Sequence, residues 1–208
     1  MKPFHHEALL WNQGVQLIAC CDEVGRGCLL GSVVAAAVIL KPYAYIEGVK
    51  DSKKLSSAKR TALFQVICEN ALAIGIGEVS AAEIDQINIK QASRKAMKMA
   101  VENLQDKAGK RIIPEALLID AETLDLPYPQ QSLIHGEDQS HGIAAASIIA
   151  KVTRDRMCDE WHEEYSNYGL NKHKGYATKQ HREALLEHGA SPLHRLTFIR
   201  KIMGGKGK

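Results

Sequence analysis

One run in this sequence leaves little choice of architecture. It opens at Gly31, continues Ser32-Val33-Val34-Ala35-Ala36-Ala37-Val38-Ile39-Leu40, and stops at Lys41-Pro42. A strand with one face in water alternates apolar and polar residues. An unbroken β-branched and small apolar run has to be covered on both faces. The segment therefore predicts a buried central strand with packed layers on each side. A shorter apolar run over 15–21 predicts a second strand, which leads straight into Asp22-Glu23-Val24-Gly25-Arg26-Gly27. Adjacent carboxylates at a strand end repel each other and resist burial, a poor choice for stability but a good one for holding a divalent cation. The Gly-Arg-Gly beside them suits a backbone and a guanidinium that must approach an anion such as a phosphodiester. The combination points to metal-dependent chemistry on nucleic acid.

The remaining elements alternate. Ser56 predicts the cap of a helix reaching about residue 70, followed by a strand over 72–79. Ser80-Ala81-Ala82-Glu83 has the form of a capping box. Apolar residues at helical spacing (Ile89, Ala92, Ala96, Met99, Ala100, Leu104) predict a helix over 88–107. A strand over 116–119 ends on Asp120, and 132–134 predicts one more. Helices are expected over 143–165, over 178–188, and after Ser191-Pro192, where proline takes the first helical position. Strands alternate with helices first and helices alone fill the C-terminal third, which reads as an α/β domain with a small helical extension.

At 208 residues, with 45% apolar and 25% charged residues, the chain has the composition of an ordinary globular protein. No stretch approaches the roughly 20 apolar residues that span a bilayer, and no secretory signal is apparent. Five cysteines without a Cys-x-x-Cys pair argue against a zinc site or a disulfide framework and for reduced thiols in the cytoplasm. From Asn171 onward nine Lys/Arg and two Glu give about +7, leaving about −4 on the rest. An acidic body with a basic end fits a metal site on one and a phosphate-gripping surface on the other; the plainer reading of the basic end is a solvated tail.

Acidic residues recur at strand ends or just before a helix: Asp22-Glu23, Asp120 and Glu137-Asp138. Ends of adjacent strands converge in an α/β sheet, and two cations about 3.5–4 Å apart can supply both an activated water and a stabilised leaving oxygen for phosphodiester hydrolysis. Taken singly, Asp120 reads equally as a turn residue and Glu137-Asp138 as a solvated loop. Consecutive strand residues also point to opposite faces, so Asp22 and Glu23 reach one site only if the strand ends or twists there.

Four blocks, in order, resemble the ribonuclease HII family. They are Asp22 to Gly27 as above, Asp51-Ser52-Lys53-Lys54-Leu55-Ser56, the Ala-rich stretch from Ile143 to Asp155, and His173-Lys174-Gly175-Tyr176. The resemblance runs from about Leu17 to Phe198. It implies a ribonuclease H-like fold, a mixed five-stranded sheet flanked by helices, with a catalytic domain over 1–168 and a basic helical extension over 169–208 that contacts nucleic acid. It implies endonucleolytic cleavage of RNA in RNA–DNA hybrids and incision 5′ of ribonucleotides embedded in duplex DNA, leaving a 3′-hydroxyl and a 5′-phosphate.

By position, the resemblance makes Asp22, Glu23 and Asp120 ligands of two Mg²⁺ or Mn²⁺ ions. It makes Gly25, Arg26 and Gly27 the reader of the RNA–DNA junction, and Tyr176 the residue that stacks near the junction sugar. Glycines let backbone groups approach a ribose 2′-hydroxyl, and Lys174 and Lys179 beside Tyr176 suggest a stacking platform in a basic groove. Lys53 reads as a phosphate ligand or as a solvated loop lysine. The chain departs from the family pattern twice. Asp120-Ala121 stands where Asp-Gly is usual, a change expected only to stiffen the turn. His135-Gly136-Glu137-Asp138 replaces a Lys-Gly-Asp block, so Glu137, 17 residues after Asp120, is assigned as the fourth carboxylate with Asp138 as the fallback. The Ala-rich block is expected to be scaffold that positions Glu137. A cytoplasmic monomer is the default, and the Gly204-to-Lys208 end is expected to be disordered. The alternatives are a type-3-like ribonuclease H needing several consecutive ribonucleotides, suggested by Glu137, and a nucleic-acid-binding relative without catalysis.

Overall fold

The run over 33–40 is strand β2 (Val33–Leu40), and every one of its residues is buried. The computed structural model describes residues 4–50 and 52–204. With β1 (Ile18–Val24), β3 (Ala71–Val79), β4 (Ala116–Asp120) and β5 (Gln130–Leu133), β2 forms a five-stranded sheet in the order β3-β2-β1-β4-β5. The pairs β1/β2 and β2/β3 are antiparallel, while β1/β4 and β4/β5 are parallel. This is the expected mixed sheet.

Helices cover both faces, as the apolar run requires. They are α1 (His5–Asn12), α2 (Ser57–Asn70), α3 (Ala81–Glu102), α4 (His141–Glu164), α5 (Leu170–His173), α6 (Lys179–His188) and α7 (Leu196–Ile199). On one face Ala92, Ala96 and Ala100 of α3 pack with Ala35 and Ala37 of β2. On the other, Ala145, Ile148 and Ile149 of α4 pack with Ala36 and Val38, joined by Ile67 of α2. Small side chains on both sides of each contact let helix and sheet approach closely. Among the described residues no helix is long and apolar enough to cross a membrane, and the five cysteines are free thiols.

Several elements differ from expectation. Strand β1 runs on to Val24, so Asp22 and Glu23 lie within the strand and not after it. Helix α1 has no counterpart in the sequence reading, because Phe4, which precedes it, offers no capping side chain. Tertiary contacts hold it instead: Trp11 packs with Ile18 and Leu118, and the buried Glu7 carboxylate accepts from Ser140 Oγ (2.6 Å) and Gly142 N–H (3.0 Å) at the start of α4.

Helix α3 is interrupted at Asn88 (φ 66°, ψ 162°), whose side chain accepts from the N–H of Lys90 and Gln91 and so begins a second helical segment. That segment stops at Glu102, short of the expected 107, where Asp106 Oδ1 accepts the N–H groups of Ala108 and Lys110 in a turn. Ser191-Pro192 starts no helix. Ser191 is committed to His194, and α7 is opened four residues after Pro192 by Asp85 of α3, which accepts from Leu196 N–H (2.6 Å) and Thr197 N–H (3.0 Å). Residues 205–208, to which the expected disorder of the C-terminal end applies, lie outside the described residues, as does Asp51.

The chain from Tyr168 to Ile199 packs on the turn after β1. Leu30 clusters with Tyr168, Leu170 and Ala184, and Leu29 with Leu185 and Ile199. Two fully buried arginines fasten the contact. Arg154 of α4 donates to the carbonyls of Leu30, Ser32 and Lys174 at 2.8–3.0 Å. Arg195 donates to the carbonyls of Gly31 (2.8 Å) and Arg26 (3.0 Å).

Candidate active site

The β1–β4 register ends at Cys21 and Ile119, and β4 itself stops at Asp120. Beyond that point β1 keeps only β2 as a partner, with Asp22 opposite Ala36 and Glu23 opposite Ala35. The missing neighbour leaves a notch at the carboxyl end of the sheet. Alternation sends Asp22 and Glu23 to opposite faces, and both carboxylates turn into the notch. One oxygen from each of Asp22, Glu23 and Asp120 lies within 4.8 Å of the others.

Packing three carboxylates this closely has an electrostatic consequence. Burial first, then the charges of Glu23 and Asp120, hold the Asp22 carboxyl well above the usual carboxylate range, against a hydrogen bond from Ser147 and one from the Glu23 N–H (2.7 Å). Burial also raises Glu23, opposed by the Arg26 guanidinium. Asp120 is raised by burial and by Glu137, against the N–H of Gly136, which donates to its Oδ1 at 2.7 Å. Such a set favours an added cation.

Glu137 and Asp138 share one 3₁₀ turn, Gly136–Asp138, and face different ways. Glu137 lies within hydrogen-bonding reach of Asp120, beside the triad but outside its compact set, and its side chain is 9% exposed. Asp138 is half exposed and pairs with Lys54 Nζ at 2.5 Å, which lowers its carboxyl. Lys53 Nζ stands 3.7 Å from Glu137 Oε1 on a largely exposed side chain.

Gly25 takes φ +93°, and a Cβ there would stand 2.3 Å from Arg154 Nε, so the protein's own packing demands glycine. At Gly27 nothing lies within 4 Å of a would-be Cβ. Arg26 between them donates to Glu23 Oε1 at 2.8 Å and lies 3.7 Å from Glu122, a buried carboxylate that also receives Arg94 Nε at 2.8 Å. Tyr176 is 41% exposed and its backbone bridges Cys28, which brings it beside the Gly-Arg-Gly turn. The lysine that stands over its ring is not one of the flanking pair. Lys174 is bonded to the Asp159 carboxylate and Lys179 lies by Glu183, whereas Lys151 of α4 places Nζ 5.9 Å from the Tyr176 ring centre.

The donor set suits a hard divalent ion. It is all carboxylate oxygen, and Glu23 Oε2 and Glu137 Oε2 are buried with no protein partner. Buried carboxylate oxygens left unpaired are costly unless a cation satisfies them.

Residues 19–201 match the family model for ribonuclease HII. The chain belongs to the ribonuclease HII family. It is 59% identical over 197 residues to the ribonuclease HII of Alkaliphilus oremlandii (strain OhILAs), spanning 95% of this chain and 97% of the relative. It is 58% identical over 203 residues to that of Alkaliphilus metalliredigens (strain QYMF), spanning 98% and 100%. Among solved structures, the ribonuclease H2 from Pyrococcus horikoshii OT3 matches with a TM-score of 0.76 at 26% identity, over 90% of this chain and 97% of that one. The protein is thus an endonucleolytic hydrolase, and the family's activity is metal-dependent cleavage of RNA in RNA–DNA hybrids.

Within this ribonuclease HII site, the Ala-rich block does more than hold Glu137 in place. Ser147 bonds to Asp22 and, at 2.8 Å, to the buried Ser52; Lys151 faces Tyr176; Arg154 underlies Gly25. These three polar residues recur at spacings of four and three along the helix. That period marks one face turned toward the site and was visible in the sequence. Glu122 carried no such signal, because its role depends on arginines from two distant segments.

Proposed function

We propose that this ribonuclease HII family member incises RNA–DNA hybrids and, in duplex DNA, the 5′ side of a single embedded ribonucleotide, leaving a 3′-hydroxyl and a 5′-phosphate. The observation that carries the reading is the carboxylate notch opening directly beside the Gly-Arg-Gly turn. Asp22, Glu23, Asp120 and Glu137 hold Mg²⁺ or Mn²⁺, and the outward pairing of Asp138 to Lys54 supports Glu137 over Asp138 as the fourth ligand. When bound, such ions supply the activated water and offset charge developing on the phosphate. Gly25 and Gly27 bring backbone to the ribose 2′-hydroxyl, and the open space at Gly27 fits an approach by something other than the protein. Arg26 exchanges part of its contact with Glu23 for a phosphate oxygen, while Glu122 keeps its guanidinium in register. Tyr176 stacks on the sugar at the junction, and Lys53 grips a neighbouring phosphate. Residues 1–168 form the catalytic unit and 169–208 the basic extension along the duplex. The enzyme works as a cytoplasmic monomer.

A second reading, a type-3-like preference for several consecutive ribonucleotides, draws on the glutamate at position 137. Labelled duplex DNA bearing one ribonucleotide, incubated with Mg²⁺, with Mn²⁺ and with chelator, separates the two. Metal-dependent incision 5′ of the ribonucleotide is the expected result. Cutting of long hybrids alone would favour the second reading, and no cutting of either substrate would overturn both.

A further inference from the structure

The segment carrying Tyr176 is held by histidines that the reaction itself does not use. His181 Nδ1 lies 2.9 Å from the Tyr176 carbonyl oxygen, and its Nε2 lies 3.2 Å from Nε2 of His194. A carbonyl only accepts, so the His181 hydrogen is on Nδ1. The Ser191 N–H only donates, and it reaches His194 Nδ1 at 2.9 Å, so the His194 hydrogen is on Nε2 and points at the bare Nε2 of His181. Ser191, His194, His181 and the Tyr176 carbonyl therefore form one chain of hydrogen bonds running in a single direction. His173 completes it. Its ring stacks on His181 with centres 4.4 Å apart, its Nδ1 accepts the Gly175 N–H at 3.2 Å, and its Nε2 donates to the Tyr168 carbonyl at 2.6 Å. Burial keeps all three imidazoles below their ordinary range, as neutral rings in one tautomer require.

The segment needs such a hold. Lys174 sits in the left-handed region (φ 51°), where a residue with a Cβ is strained, and such strain persists only where the surroundings over-determine it; Gly175 (φ 84°) continues the turn without that cost. We propose that His181, with its hydrogen placed by His194, is a positioning residue for Tyr176: it fixes the backbone from which the tyrosine ring projects and so sets the ring's stacking height on the substrate sugar. This rests on the role given to Tyr176 above.

The test uses the full chain and a duplex with one ribonucleotide. His181→Phe keeps a ring against His173 and removes the donor, whereas His181→Asn returns an N–H near the Nδ1 position. We expect His181→Phe to lower kcat/KM about tenfold, mainly through KM, His181→Asn to recover most of it, and His181→Phe to add nothing to a Tyr176→Ala variant. Wild-type kcat/KM in His181→Phe, or losses that multiply in the double variant, overturns the relay alone. An unchanged Tyr176→Ala overturns the reading of Tyr176, and the relay's purpose with it. Should His181→Phe fail to fold, imidazole ¹⁵N spectra of the wild-type protein decide. Hydrogens on His181 Nδ1 and His194 Nε2 support the relay, and the opposite placement overturns it.

Discussion

The Gly136 N–H and the Asp120 Oδ1 are 2.7 Å apart, and this one bond joins the end of β4 to the turn that carries Glu137. It orients a carboxylate that burial and its neighbour would otherwise destabilise. A Cβ at position 136 would stand 2.7 Å from Ile143 Cδ1 and 3.2 Å from Asp120 Oδ1. Gly136→Ala should therefore move Asp120 and weaken divalent-ion binding by roughly tenfold, the equivalent of about 1.4 kcal/mol. Calorimetric titration with Mn²⁺ measures it, and unchanged affinity would disprove the coupling.

Asp22→Asn should abolish cleavage while leaving hybrid binding largely intact. The same change removes a buried charge that Glu23 and Asp120 repel. In chelator the variant should therefore melt higher than wild type, by a margin on the order of 1 kcal/mol. A lower melting temperature would mean that the bonds from Ser147 and the Glu23 N–H outweigh the repulsion.

Arg26→Ala removes the guanidinium shared by Glu23 and Glu122 on a half-exposed side chain. Preference for a single embedded ribonucleotide over an all-DNA duplex should fall more than thermal stability does. Incision assays on both duplexes, with melting curves alongside, report the two effects; an unchanged preference removes Arg26 from the junction.

Ala121 sits at φ +49°, in the left-handed region that costs a residue with a Cβ about 1–2 kcal/mol. Alanine here thus strains the turn after Asp120, beyond the stiffening expected of it. Ala121→Gly should stabilise the fold by roughly 0.5–1 kcal/mol once the extra freedom of the unfolded chain is subtracted. Urea denaturation with an unchanged m-value checks this.

His141 and His194 are both pulled by burial from 6.5 to about 4. His141 Nε2 must stay bare to accept the Ile46 N–H at 3.0 Å. Between those values the unfolded chain binds more protons than the folded one. The stability these groups contribute is therefore complete above about pH 6.5 and lost as pH falls toward 4, with a slope of at most about 1.4 kcal/mol per pH unit for each. The raised carboxyls of Asp22, Glu23 and Asp120 act in the opposite sense, so the check is a difference: between pH 7.5 and 4.5 the melting temperature of wild type should lose ground relative to that of His141→Gln.

What the sequence disclosed and what it hid divide on physical grounds. The strand over 33–40 was readable because burial on two faces writes an unbroken apolar run, and the Ser80 cap because its side chain acts within three residues, on the Glu83 N–H. Helix α1 was hidden because what holds it is distant, Ser140 and Gly142 donating to Glu7, and the start of the final helix was misplaced because Asp85, not Ser191, accepts its first N–H groups. The carboxylates announced themselves by residue type and position, yet nothing local says that β4 stops early enough to admit both Asp22 and Glu23 to one notch. That depends on register between strands nearly a hundred residues apart.

Arg154 and Arg195 donate to backbone carbonyls on both sides of the seam between the turn after β1 and the C-terminal helices. Carbonyls are present whatever the side chains, so the clamp tolerates sequence drift at Leu30, Ser32 or Lys174 but not at the arginines. It also ties the turn after β1 to the segment that carries Tyr176 through two side chains that neither stretch supplies.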